Sequence, residues 1–461
     1  MQGCAGFDAE TGNFPAVSMI DRPGCGSYPC GLNPVGSDPF DDPLRLRIHT
    51  PQNMKALNRP VILFLAAHGT LFAQGPIEPA EAPAPTMKSL QEIWDKIGGL
   101  ETQAAQLATQ NAQLQKQLAL LSAATVNFAW NFSTAASGAN RRNISLAFGP
   151  DGQPAVAYQN VTNEDLGIAR FDGSQWTQTI IESEGTVGEH ACLAFDPAGF
   201  PAVSYYAAGP SFQLRIARYD GASWTVSDVV LAQVALPTSL AFGQDGQPSI
   251  AYFDSSTYDV KISRYDGTDW TTTLVDGAGT IVGTGGVSMA FAPDGQPAIS
   301  YTDENAKLKI ARLNGATWVK TLVDGGTNTG LSPSLLFGPD GHPSIGYFSL
   351  ATLNVHFARF TGGSWALSTV DTSASNGGHT SLAFGPDGQP SISYYSSASA
   401  DLRFARFNGT GWVVATVDSA GAVGQYSSLK YAPDGQPAIA YMDYTNYLVK
   451  LARKGAFAAV P

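Results

Sequence analysis

The sequence predicts an all-β protein, a seven-bladed β-propeller of four-stranded blades, preceded by an α-helical coiled-coil stalk. Three observations predict it. One unit recurs seven times from residue 126 onward, each unit holds four short apolar strands parted by turn residues, and the last unit lacks a fourth strand that stands ahead of the first. Composition agrees: 49 Gly, 29 Pro, 10% aromatic and only 14% charged residues suit many short strands joined by tight turns.

Residues 1–53 are rich in Gly, Pro and Asp and show no strand or helix period. They read as upstream sequence translated ahead of a true start at Met54, or as a disordered extension. Residues 54–73, MKALNRPVILFLAAHGTLFA, have a methionine, two basic residues, a short apolar run and a small terminal Ala73, in the manner of a secretory signal peptide. That run is too short to span a bilayer, so the expected location is extracytoplasmic: periplasmic, envelope-associated or secreted, with no stable membrane span. Residues 74–88 form a Pro/Ala-rich linker.

Over 89–122 a heptad pattern follows. Leu90, Ile97, Ala104, Asn111 and Leu118 share one seam position, and Ile93, Leu100, Leu107, Leu114 and Leu121 share the other. This predicts a homo-oligomer joined through residues 89–122, a parallel dimer or a trimer, with Gly98 and Gly99 weakening the helix locally.

The propeller is expected over 126–454. Its unit is clear in SLAFGPDGQPAVAYQNVTNEDLGIARFDGSQW at 145–176, and its proline falls at Pro154, Pro201, Pro248, Pro297, Pro343, Pro390 and Pro437. The four strands are SLAF, PAVAY after a PDGQ turn, L-x-I-A-R, and a Trp-led strand after a D-G or N-G turn. The Trp recurs at Trp176, Trp224, Trp270, Trp318, Trp365 and Trp412, while the seventh, Trp130, precedes the first unit. A strand around Asn127 to Phe132 should therefore complete the last blade and close the ring. Alternation suggests that Leu146, Phe148, Val156, Tyr158 and Ile168 point one way, and Ser145, Ala147, Ala155, Ala157 and Ala169 the other.

Arg170, Arg218, Arg264, Arg312, Arg359, Arg406 and Arg453 recur in all seven units, and a turn Asp recurs in six, at Asp151, Asp245, Asp294, Asp340, Asp387 and Asp434. A structural Arg–Asp pair is the expectation, because chemistry seldom needs seven copies. The net charge of −12 and the lack of any Lys/Arg run oppose nucleic-acid binding. Of four cysteines only Cys192 lies in the repeats, so no disulfide framework is expected.

Loop lengths vary after PAVAY and after the Trp strand, so that rim is the expected functional face. At its channel mouth stand Asn143, His190, Pro237, Gly286, Ser332, His379 and Tyr426, a ring with no complete metal-ligand set, and neither metal nor cofactor is expected. Candidate binding residues are Tyr206, Tyr258, His379, Tyr395, Tyr426 and Tyr444. Acidic residues close the outer strands (Glu182, Asp276, Asp324, Asp371, Asp418) or follow the second strand (Asp254, Asp303, Asp443), and read first as solvated turn carboxylates. Weak catalytic candidates are Glu164, Glu184, Glu189 and His190, where the first two complete units break the pattern most.

The repeats resemble a bacterial secreted propeller family of DGQP-containing blades and, more distantly, sialidase-type propellers. The turn SRYDGTDW at Ser263 to Trp270 is similar to the sialidase Asp box, with Asp one place late. Sialidases also need three converging arginines; only Arg141 and Arg142 fall on the expected loop face. Likeness to propeller lectins implies sugar binding through blade loops. The expectation is a noncatalytic recognition or adhesion module binding glycan or protein; the alternative is a glycan-cleaving hydrolase or lyase on the first two complete blades.

Overall fold

A computed structural model describes residues 87–125, 129–138, 144–160, 162–209, 212–231, 238–277, 286–373 and 378–455. The leader, the signal-like segment and residues 74–86 of the linker lie outside the described residues, as do Asn127, Arg141, Arg142, Asn143 and Pro237. Helix α1 runs unbroken from Met87 to Thr125, longer at each end than the heptads alone require. Gly98 and Gly99 do not interrupt it, and added side chains there would meet nothing. No helix among the described residues is long and apolar enough to cross a membrane.

Among the described residues twenty-eight strands, β1 (Trp130–Ser137) to β28 (Leu448–Lys454), form seven four-stranded antiparallel sheets. Each of blades 1 to 6 uses four consecutive strands, beginning with β2 (Ser145–Phe148), β3 (Pro154–Asn160), β4 (Asp165–Phe171) and β5 (Trp176–Glu182). Blade 7 is composite, in the order β1, β28 (Leu448–Lys454), β27 (Pro437–Asp443), β26 (Val423–Tyr431). Its outer strand begins at Trp130 and pairs Trp130 with Lys454, and Asn131 Nδ2 donates to the Gly455 carbonyl at 2.8 Å.

Interfaces between blades are the core. Where blade 7 meets blade 1, Leu146, Val156 and Tyr158 pack with Ala169 on Ala438, Ala440 and Leu451; where blade 1 meets blade 2, Ala155 and Ala157 pack with Ile168 and Leu166 on Leu193, Val203 and Tyr205. This corrects the expected faces of two residues: Ile168 belongs with the small residues and Ala169 with the bulky ones. The cause is register. Ala157 lies opposite Ile168, and Val156 opposite Ala169, and directly opposed residues of an antiparallel ladder share a face. Each face thus carries both large and small side chains, which lets neighbours interdigitate.

The innermost strands are joined by a ring of seven hydrogen bonds. Leu193 N donates to Ser145 Oγ of the preceding blade at 2.9 Å, Met289 N to Ser239 at 2.9 Å, Leu335 N to Ser288 at 2.9 Å and Leu382 N to Ser334 at 2.9 Å. Leu429 N donates to Ser381 at 2.9 Å and Leu146 N to Ser428 at 3.0 Å, across the closing interface. Only Leu240 N meets a sulfur, Cys192 Sγ, at 3.3 Å. Edge groups that the short inner strands would otherwise leave unpaired are thereby used.

Candidate functional site

Every blade has two ends. The PDGQ and D-G turns lie at one, here called the turn rim; the loops after the second and fourth strands lie at the other, the loop rim.

At the turn rim six of the seven recurrent arginines are tied to the turn Asp of their own blade, as in Arg170 to Asp151 (2.8 Å), Arg264 to Asp245 (2.6 Å), Arg312 to Asp294 (2.6 Å), Arg359 to Asp340 (2.7 Å) and Arg406 to Asp387 (2.6 Å), with Arg453 on Asp434. Five of these guanidinium groups also lie over an aromatic ring of the next blade, for example Arg170 over Phe195 at 5.8 Å and Arg406 over Tyr431 at 5.8 Å. The turn Asp reads its own loop as well: Asp151 Oδ1 accepts from Gln153 N at 3.1 Å. In blade 2 the turn is Asp196-Pro197-Ala198-Gly199, so Arg218 has no such Asp, and among the described residues it forms no ion pair.

The recurrent tryptophans seal blade junctions. Trp130 lies 5.5 Å from Phe404 and Trp412 5.3 Å from Phe357, each in the preceding blade, and Trp176 Nε1 donates to Ser133 of blade 7 at 3.0 Å. Trp224, Trp270, Trp318 and Trp365 pack likewise against the preceding blade's core. In the Asp-box-like turn, Asp266 Oδ1 accepts from Thr268 N and Asp269 N at 2.8 and 2.9 Å, and those bonds hold its carboxyl down at about 2. It staples a turn.

The outer-strand acids are not solvated turn carboxylates. Asp276, Asp371 and Asp418 are buried, and each accepts the hydroxyl of the PAVAY-type tyrosine of the next blade: Tyr301 at 2.8 Å, Tyr394 at 2.6 Å and Tyr441 at 2.6 Å. Asp324 does the same for Tyr347 at 2.8 Å, and Glu182 for Tyr205. A basic residue from the next blade completes the set: Arg215 on Glu182 (2.6 Å), Arg403 on Asp371 (3.1 Å), Lys450 on Asp418 (2.6 Å) and Lys320 on Asp276. Burial alone would push the Asp276 carboxyl up, but the hydrogen bonds and charge of Lys320 and Tyr301 more than offset it and hold it low. Two junctions lack the acid, because Ala136 and Val230 occupy its place; there Tyr158 donates to Gln178 of its own blade at 3.0 Å, and Lys261 turns to Asp254 at 2.8 Å. The second-strand acids Asp254, Asp303 and Asp443 are also buried, and they cap their own loops through Ser256 N (3.0 Å), Asn305 N (2.9 Å) and Asn446 N (3.0 Å).

The loop rim carries two rings of left-handed backbone. One is the channel mouth, where His190, Gly286, Ser332, His379 and Tyr426 all have φ between 48° and 106°. There the carbonyl of one blade is held by a hydroxyl of the next, Thr238 on His190 O at 3.0 Å and Ser427 on His379 O at 3.0 Å. His379 and Tyr426, on adjacent blades, have ring centroids 4.2 Å apart, and burial pushes the His379 imidazole down to about 4. The other ring lies at the start of each third strand: Glu164, Phe212, Tyr258, Leu353, Ala400 and Tyr447 directly precede it and Ala306 stands two residues ahead of it, all left-handed. Phe212, Tyr258, Leu353 and Tyr447 are exposed by 46, 48, 41 and 43%. Of these four the sequence reading named only Tyr258, because left-handed backbone is not signalled by an aromatic residue.

The other tyrosine candidates scatter. Tyr444 is half-buried, 5.9 Å from Tyr447; Tyr395 is half-buried; Tyr206 is buried opposite Glu189 in the ladder, and burial chiefly, with the Glu189 charge, raises its phenol pKa. The catalytic candidates sit in different surroundings. The Glu164 carboxylate is engaged by the Thr186 hydroxyl, Glu184 is exposed, and His190 is buried with its carbonyl committed to Thr238. Among the described residues no group of three His, Cys, Asp or Glu could hold a metal ion.

Among the described residues, clefts open on the turn rim between neighbouring blades, three of them as follows. Cavities of about 570, 710 and 620 Å³ lie between blades 1 and 2, 2 and 3, and 4 and 5, each lined by the recurrent Arg of one blade and the Trp of the next: Arg170 and Trp224, Arg218 and Trp270, Arg312 and Trp365.

No protein-family model matches the chain, and no curated protein matches it in sequence. Among solved structures it is similar to the fucose-specific lectin from Aleuria aurantia (18% identity, 62% of this chain, 98% of the lectin, TM-score 0.43). It is also similar to an ulvan lyase from a new family of polysaccharide lyases (12%, 69% of this chain, 94% of the lyase, TM-score 0.48). A third similar structure is a protein of unknown function from Dyadobacter fermentans (13%, 70% of this chain, 98% of that protein, TM-score 0.44). These likenesses concern the fold.

Proposed function

We propose that the chain is a noncatalytic recognition propeller that binds glycan through its loop rim and acts as an exported oligomer. The observation that carries the reading is the second left-handed ring. A left-handed backbone costs an L-residue about 1–2 kcal/mol, and an exposed large apolar side chain adds nothing to the core. Placing Phe212, Tyr258, Leu353 and Tyr447 there sets four apolar platforms around a rigid rim. Flat aromatic surfaces flanked by loop hydroxyls and amides suit the apolar faces of sugar rings. Repetition on several blades, multiplied by an oligomer built on α1, supplies avidity to weak single contacts.

The enzyme reading needs Glu164, Glu184, Glu189 and His190 to converge on one substrate atom; the engagement of Glu164 by Thr186 and the burial of His190 support the recognition reading instead. A glycan array probed with the full chain tests the proposal. Binding is expected, and Tyr258→Ala together with Tyr447→Ala is expected to weaken it roughly tenfold or more. Binding that survives this double variant unchanged, or product released from a polysaccharide, would overturn it.

A further inference from the structure

The cleft between blades 2 and 3 departs from its two counterparts at one residue pair. In blades 1 and 4 the recurrent arginine is held by a turn Asp at 2.8 and 2.6 Å and lies over the next blade's aromatic ring. Blade 2 keeps the same turn: Asp196 N donates to Phe200 O at 2.9 Å and Gly199 N to Asp196 O at 2.9 Å, as Gly149 N does to Gln153 O and Gly152 N to Gly149 O in blade 1. Yet Ala198 replaces the Asp, and Asp196 spends its carboxylate on Phe200 N at 2.9 Å. Arg218 therefore has a half-buried guanidinium with neither ion pair nor aromatic lid among the described residues, and it lines the largest of the three clefts.

The rest of that lining is of a kind that reads sugars. Trp270 and Tyr265, 5.3 Å apart, give an apolar wall, and Tyr219 gives another. The Asp269 carboxylate, without a partner among the described residues, and the Thr225 and Ser227 hydroxyls supply acceptors and donors. Four Asp side chains line the cleft beside the one guanidinium, which disfavours an anionic ligand. A volume of about 710 Å³ takes one or two sugar rings.

We propose that this cleft is a second saccharide site, distinct from the loop rim, that binds an uncharged pyranose. The ring's apolar face packs on Trp270, Arg218 donates to the ring or hydroxyl oxygens, and Asp269 accepts from the hydroxyls. The proposal extends the glycan-recognition reading to a different place on the molecule. Its test uses the full chain and methyl glycosides of the common uncharged pyranoses, with methyl glucuronide as the charged comparison, read by ligand-observed NMR and titration. At least one uncharged glycoside is expected to bind, and methyl glucuronide is not.

The decisive variant is Asp196→Gly with Ala198→Asp, which gives blade 2 the GPDG turn of its neighbours and supplies the missing partner for Arg218. A Cβ at Gly149 would approach Asp151 Oδ1 to 2.6 Å, which is why both positions are changed together. This variant should fold like the parent and lose glycoside binding roughly tenfold or more, as should Arg218→Ala. The loop-rim variants Tyr258→Ala and Tyr447→Ala should leave the Arg218-dependent part of that binding intact. Glycoside binding unaffected by either turn-rim change, binding lost only in the loop-rim variants, or no binding of any pyranoside would overturn the second site. The glycan array, repeated in the Arg218→Ala background, decides the loop rim independently.

Discussion

At the scale of single residues the loop rim is where chain chemistry and backbone geometry disagree. His379 holds a left-handed backbone, lies tilted against the Tyr426 ring and is kept neutral by burial, its pKa about 4. Between the ordinary histidine value of about 6.5 and that depressed value the unfolded chain takes up a proton that the folded chain refuses. Stability should therefore be full above the unfolded value and decline as pH falls through the window, by on the order of 1–3 kcal/mol. Thermal unfolding of the parent and His379→Phe at a series of pH values checks this; the variant should lose that part of the slope, and an unchanged slope would refute the assignment. The ring was visible in the sequence as seven equivalent positions before the inner strands. Its strain was not, since His, Ser and Tyr carry no mark of left-handed backbone.

At the scale of elements, the blades were legible and their junctions only partly so. Four strands per unit, the Trp-led outer strand and the composite blade 7 follow from period and turn residues. The pairing of faces does not, because alternation within a strand leaves open which face its neighbour shares; Ile168 and Ala169 exchange sides once register is known. The junction pins were harder still. Asp371 meets Tyr394 and Arg403 across a blade boundary, 23 and 32 positions along the chain, and no local pattern joins such residues. Tyr394→Phe should cost about 1–3 kcal/mol by leaving Asp371 short of a donor. Tyr252→Phe, at a junction where Val230 replaces the acid, should cost less than about 1 kcal/mol. Chemical denaturation of the two variants compares them directly, and equal losses would show that the pin has no special weight.

At the scale of the whole molecule, two parts ask for partners of different kinds. Helix α1 exposes Ile93, Ile97, Leu100, Leu107 and Leu114 by 43 to 64%, on the two seam positions read from the heptads. Replacing Leu100, Leu107 and Leu114 by Ser should convert the assembly to a single chain in sedimentation or light scattering; a parent already of single-chain mass would remove the oligomer from the proposed function. The propeller, by contrast, satisfies itself through blade 7. There the first strand of the ring hydrogen-bonds to the last, and Asn131 reaches a residue 324 positions away. A ribosome adding about 5–20 residues per second needs roughly 15–65 s to travel that distance. During that interval β1 is an open edge of apolar and polar backbone with its partner not yet made. Blades 1 to 6 can assemble as they emerge, but the circle stays unclosed until β28 leaves the exit tunnel. Truncations that remove β28 therefore act on β1 as well, and a nascent chain stalled before β28 would present a nearly complete propeller with one seam open to any strand that can fill it.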